Sequence, residues 1–242
     1  MRLSEIAGWL DRELEVSKFD DVSNNGIQVA REGDEARRVA FGVDASAAFL
    51  ARAAEWGAEM CVVHHGISWG GGMRRIAGSE YEVVRAAIRA NIALYAVHLP
   101  LDASERHGNN WELARHLALE GVRPAFSYHG NVIGVVGRAS ASGAFRVGET
   151  DVALEAGTLV GVCSGGAGEF AVEAKALGCG LYLTGEASWG DVIAAQNVGM
   201  RMVCAGHYET ETFGVAALAR AAARDLGLET QLIDSRLGVS SP

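Results

Sequence analysis

Proline is scarce in this 242-residue sequence, with three against 31 glycines. Glycine without proline and without a Gly-X-Y period excludes collagen and proline-rich linkers; it signals many tight turns between short elements. No stretch holds ~18 consecutive apolar residues, so no transmembrane helix is expected. The opening segment MRLSEIAGWLDRELEV lacks the cationic start and long apolar run of a secretory signal and carries Glu5, Asp11, Glu13 and Glu15 instead. Cysteine is sparse too: Cys61, Cys163, Cys179 and Cys204 form no C-x-x-C pair, and each sits in or near an apolar run. That pattern reads as buried, reduced thiols of a cytoplasmic protein, with a thiolate metal site as the lesser alternative. Positive charge is in deficit, 21 Lys and Arg against 30 Asp and Glu for a net charge of −9. This argues against a nucleic-acid binder. A Walker loop, G-x-x-x-x-G-K-[ST], is absent as well.

What is there is a core-forming composition, 49% hydrophobic and 21% charged, which excludes a disordered or fibrous chain. Leu3, Ile6, Leu10 and Leu14 recur at helical spacing, and the turn signal Ser23-Asn24-Asn25-Gly26 precedes the short apolar stretch Ile27–Val29. Strands are expected over Arg38–Val43, Glu59–Val63, Ile92–Val97, Val132–Gly137, Leu159–Cys163, Gly180–Thr184 and Arg201–Ala205. Helices are expected over Ser46–Trp56, Glu80–Ala90, Asn110–Leu119, Glu169–Leu177, Ser188–Val198 and Glu209–Leu226. The stretch 138–158 is rich in small residues and reads as a hairpin or loop. Alternating strands and helices imply α/β lobes with mainly parallel sheets flanked by helices. A faint repeat relates Gly42–Gly66 to Gly161–Glu186, which suggests two similar lobes, 1–125 and 126–242, with the C-terminal helix packing back on the first.

The chemistry gathers at the strand ends. His64, His65, His98 and His207 directly follow predicted strands; Asp102 and Glu211 follow within four residues of His98 and His207. In open α/β sheets, ligands bind beyond the carboxyl ends of the strands. Imidazoles and carboxylates suit Zn, Mn, Fe, Co or Ni. His207 and Glu211, at i and i+4, share one helical face. So many donors from three segments exceed what one open catalytic ion takes, and fit two ions about 3.5–4 Å apart. His107, His116 and His129 read as surface or core residues.

The stretches Asn25-Gly26-Ile27-Gln28-Val29, Val63-His64-His65-Gly66 and His98-Leu99-Pro100-Leu101-Asp102 with Gly108-Asn109-Asn110 carry a family resemblance. Thr184-Gly185-Glu186 and Gly206-His207-Tyr208-Glu209-Thr210-Glu211 extend it. Across essentially its whole length the chain resembles the NIF-three-like family of dinuclear-metal proteins, some carrying the name GTP cyclohydrolase I type 2 homologue, in the short bacterial form. The resemblance implies two divalent ions per chain held by His64, His65, Asp102, His207 and Glu211 in a cleft between the lobes, with Glu211 bridging. His98 and Glu186 match polar positions lining that cleft and are the candidates for proton transfer. Tyr208 stands where a second histidine is common in the family. A homohexameric ring is also implied.

Two divalent ions against Asp102 and Glu211 leave the site at roughly +2 inside an acidic protein, suited to a small anionic substrate such as a nucleotide or phosphate ester. The expectation is a metal-dependent hydrolase, with GTP ring-opening the specific form the resemblance suggests. The alternative is a non-catalytic metal-binding or regulatory ring acting through protein partners. Gly70–Arg75 reads as a phosphate-holding or an ordinary surface loop, Ser164–Gly168 as an anion-binding or a structural turn, and Trp69 and Trp189 as base-stacking or packing residues.

Overall fold

In the computed structural model, which describes residues 1–236, the short apolar runs become strands and the Ala-rich stretches become helices. In chain order the elements are α1 (Leu3–Glu13), β1 (Gly26–Val29), β2 (Arg38–Asp44), α2 (Ala47–Trp56), β3 (Met60–His65), α3 (Ser79–Ala90), β4 (Ala93–Ala96), α4 (Leu99–Ala103), α5 (Asn109–His116) and β5 (Leu119–Tyr128). There follow β6 (Asn131–Ala139), β7 (Gly143–Val147), β8 (Thr150–Leu154), β9 (Leu159–Cys163), α6 (Ala171–Ala176), β10 (Leu181–Thr184), α7 (Trp189–Asn197), β11 (Met202–Cys204), α8 (His207–Leu226) and β12 (Glu229–Leu232). The fold is mixed α/β. Among the described residues no helix is long and apolar enough to cross a membrane.

The chain divides into two compact units, one formed by Met1–Leu101 with the stretch from Val215 onward, the other by Asp102–Gly214. The sequence reading divides it near residue 125 instead. The boundary differs because of α5, while β12 accounts for the C-terminal stretch. β12 adds in parallel beside β2, which returns the C-terminal stretch to the first unit. α5 packs on β5, β6 and β9 of the second.

In the first unit the sheet order is β1-β4-β3-β2-β12. β12, β2, β3 and β4 run parallel, and β1 joins the β4 edge antiparallel. β3 and β4 are almost wholly buried along their length, as strands covered on both faces must be. Phe49, Leu50 and Ala53 of α2 pack with Ala40, Cys61, Val63 and Leu94 in one core cluster. α2 starts where the Ser46 hydroxyl accepts the Phe49 amide at 3.0 Å, satisfying a backbone donor the first helical turn leaves over.

In the second unit the order is β11-β10-β9-β6-β5. β9, β10 and β11 are parallel, while β6 pairs antiparallel with both β9 and β5. The expectation of mainly parallel sheets therefore holds for the first unit but not for this one, where half the pairings are antiparallel. β5 escapes the sequence reading because Gly121 and Pro124 interrupt its pattern; it is an edge strand, where a missing amide is tolerated. The 138–158 stretch forms the β7–β8 hairpin. The expected helix over Glu169–Leu177 begins with a 3-10 turn and narrows to α6.

Ser46→Ala removes the α2 cap and is expected to cost about 1 kcal/mol, read as a lower urea midpoint at unchanged slope.

Candidate metal centre

The first unit gathers three imidazoles. Consecutive strand residues ordinarily face opposite sides of a sheet, yet the His64 and His65 rings lie 4.5 Å apart, because β3 ends at His65. His98, just past β4, brings its ring to 5.1 Å from His64 and 5.7 Å from His65. One ligand atom from each of the three lies within 4.8 Å of the others. His64 is fully buried.

Each ring is held from behind at Nδ1. His64 Nδ1 meets the Val97 carbonyl at 3.0 Å, His65 Nδ1 meets Asp44 Oδ1 at 2.9 Å, and His98 Nδ1 meets Asp21 Oδ1 at 2.9 Å. An oxygen acceptor at Nδ1 fixes the proton there, so the lone pair that can ligate a cation is on Nε2. Asp21 is itself fixed by four contacts. Its Oδ1 also accepts the Ser23 amide, and its Oδ2 accepts the Asn25 side-chain amide and the Leu99 amide. Burial would raise the Asp21 carboxyl, but the hydrogen bond and charge of His98, with the Ser23 and Asn25 donors, hold it at about 2.

The Asn25–Gln28 motif now has a mechanical reason. Asn25 Oδ1 accepts the His98 amide at 3.0 Å. Gln28 Oε1 accepts the Ile67 and Ser68 amides at 2.7 and 3.1 Å and so clamps the chain leaving His65. Gly66 is required by that approach, since a side chain there would collide with Gln28 Oε1 and the Ala96 methyl.

The second unit presents an imidazole and buried acids. β11 delivers the chain to His207, the first residue of α8, and Glu211 follows one turn later, its Oε1 3.2 Å from His207 Nε2. Glu186, beyond β10, meets His207 Nδ1 at 3.0 Å. The Glu211 hydrogen bond and charge raise His207 to about 9, against burial and with help from Glu186. Asp102, buried on α4, accepts the Asn109 side-chain amide at 2.9 Å and the Ser164 hydroxyl at 3.2 Å on Oδ1. Asn109 Oδ1 in turn accepts the Gly214 amide, and Asn110 Oδ1 the Ser164 amide, both at 2.7 Å. The Gly108-Asn109-Asn110 motif is thus the frame for Asp102.

Ser164–Gly168 is a structural turn. Its Gly165 amide donates to Thr210 Oγ1 and its Ala167 amide to Thr184 Oγ1, so these donors are engaged within the fold. Gly165 has φ +67°, and a side chain there would collide with Glu211 Oε1.

Comparison with known proteins follows the same lines. The family model Duf34/NIF3 (NGG1p interacting factor 3) matches residues 1–236. The chain belongs to the NIF3 family. It is 36% identical over 253 residues to the GTP cyclohydrolase 1 type 2 homolog of Pyrococcus horikoshii, covering 99% of this chain and 100% of that protein. It is 38% identical to the homolog of the same name from Deinococcus radiodurans, covering 97% and 94%. Among solved structures, protein ybgI superposes with TM-score 0.85 at 26% identity, covering 98% of this chain and 99% of that one. A Thermus thermophilus protein superposes with TM-score 0.78 at 30% identity, covering 99% and 100%.

The NIF3 chain thus carries two donor sets, His64, His65 and His98 in one unit, and His207 with Glu211 in the other, where Glu186 backs His207 and Asp102 is framed separately. Nitrogen-rich donors with Nδ1 already engaged fit a borderline divalent ion, not a hard one such as Mg or Ca. His107, His116 and His129 stand outside both sets: His107 is buried, His116 meets the Arg146 carbonyl, and His129 sits in the β5–β6 turn. Asp21 and Asp44, which hold His98 and His65, are not evident from the sequence. The available signal is positional, since Asp44 is the register partner of His65 at the end of parallel strands. The expectation of four buried cysteines is corrected at Cys204, which is exposed because β11 is an edge strand.

Two outcomes follow. With a folded value near 2 against 3.8 unfolded, Asp21 adds stability that is present above about pH 4 and is lost as pH falls toward 2. The wild type should exceed Asp21→Asn by about 1–2 kcal/mol at pH 5, and the gap should close toward pH 2 in urea titrations. Gly165→Ala should displace Glu211 and weaken divalent-metal binding roughly 10–100-fold, measured by competition with a chromophoric chelator.

Proposed function

We propose that the two donor sets combine into one dinuclear centre and that the protein is a metal-dependent hydrolase of a nucleotide or another phosphorylated metabolite. In this reading His64, His65, Asp102, His207 and Glu211 hold two divalent cations. The observation that carries it is a hydrogen bond shared by four imidazoles, each with Nδ1 on an oxygen acceptor. Such backing orders a ligand ring and raises its basicity. When bound, paired cations acidify a coordinated water and polarise the bond under attack.

The protein groups have separable tasks. His98, anchored by Asp21 and by the Asn25 contact to its amide, can take or return a proton at Nε2 beside the other two rings. Glu186 has an exposed carboxylate with one oxygen on His207, so it orients that ring and can pass a proton outward. The roughly +2 balance of two cations and two acids favours an anionic substrate. Relatives named GTP cyclohydrolase 1 type 2 homolog make GTP ring-opening the first reaction to assay. A homohexameric, cytoplasmic assembly belongs to the same reading and rests on the family resemblance.

Protein purified without chelators or an affinity metal should contain about two divalent ions per chain by elemental analysis. His65→Ala should lose at least one of them and cut turnover across a nucleotide and phosphate-ester panel at least ~100-fold, with unchanged circular dichroism. A loaded value near one would require reassigning a ligand. Full loading with no turnover on any anionic class, together with a stable protein complex, would replace the hydrolase by the regulatory ring.

A further inference from the structure

The chain leaving His65 sets a large aromatic side chain beside the imidazoles. Trp69 lies 5.2 Å from the His98 ring at an interplanar angle of 77°, and 6.1 Å from the His65 ring. Its position is fixed by backbone. Trp69 bridges antiparallel to Ser23, the Asn24 amide donates to the Ser68 carbonyl, and the Gly70 amide donates to the Val22 carbonyl. Its indole N–H is satisfied locally by the Gly66 carbonyl at 3.1 Å. Yet 38% of the residue is exposed, so core packing does not account for it.

The segment that follows is open and carries positive charge. Gly70, Gly71 and Gly72 follow directly, and a side chain added at any of them would meet nothing within 4 Å. Between Gly66 and Ser79 the chain has no acid and two cations, Arg74 and Arg75. That is a local excess of positive charge in a protein of net charge −9. An aromatic face held in place by backbone and partly exposed, with basic residues following in the chain, is how proteins stack a planar ring that carries a phosphate without reading the ring's edges.

We propose that Trp69 is the stacking platform for the planar heterocycle of a phosphorylated substrate, and that it sets specificity for ligands with a base over bare sugar phosphates. This deepens the metal-hydrolase reading and rests on it for the location of the reacting end.

The test uses full-length, metal-loaded protein titrated calorimetrically with GMP, CMP and ribose 5-phosphate, with metal content measured on the same samples. Wild type should bind the two nucleotides about tenfold or more tighter than ribose 5-phosphate. Trp69→Leu keeps an apolar side chain but no ring; it should erase that preference while leaving ribose 5-phosphate affinity and metal content within about twofold. Trp69→Phe should keep most of the preference. If Trp69→Leu fails to fold, fluorescence decides: GMP should quench wild-type emission and leave that of Trp69→Phe nearly unchanged. The proposal is overturned if wild type fails to discriminate, if Trp69→Leu retains the preference, or if quenching is equal in the two proteins. Those outcomes leave the metal reading intact as long as the samples are loaded, whereas samples that take up no metal overturn the metal reading itself.

Discussion

In each unit the candidate donors depend on how their imidazole rings are gripped at Nδ1. A histidine on a strand end otherwise has two tautomers and a broad ring torsion. In His64, His65, His98 and His207 that freedom is removed by one oxygen each: a carbonyl for His64 and carboxylates of Asp44, Asp21 and Glu186 for the rest. The grip extends outward. Asp21 is held by three further donors, Asp44 donates its own amide to Ser235 Oγ, and Asp102 is framed by Asn109 and Ser164. A donor set ordered before any cation arrives leaves less conformational entropy to be lost on binding.

Strand register explains how distant residues meet. In the first unit Val63 pairs with Ala96 and Asp44 with His65, so His64, His65 and His98 emerge together at the carboxyl ends of β3 and β4. In the second, Thr184 pairs with Cys204, so Glu186 and His207 emerge together beyond β10 and β11. Parallel strands end in step, and their carboxyl ends carry backbone groups with no further partner in the ladder. Side chains there turn away from the alternation that rules a strand interior. Both units use this device.

Much of the architecture was legible because buried parallel strands are short apolar runs and helices announce their ends. The helices expected from Ser46 and Ser188 start there, with those serines as caps, and the strands around Cys61, Leu94, Val162 and Leu183 fall within a residue or two of expectation. What escaped was what pairs at an edge. β12, with three of its four residues exposed, and β5, with Pro124 inside it, lack the apolar signature because solvent covers part of them. α4 hides in the His98–Asp102 stretch because Pro100 reads as a break, although proline is tolerated in the first turn of a helix.

The sequence by itself determined the donor chemistry: vicinal histidines, a His-x-x-x-Glu pair and acids placed at strand ends, with an α/β alternation to hold them. Only the tertiary structure decided which acid stands behind which ring. His98 and Asp21 are 77 positions apart, and His65 and Asp44 are 21 apart. Those meetings follow from strand order and turn geometry, which are set by packing of the whole sheet and leave no local trace in the residues that meet.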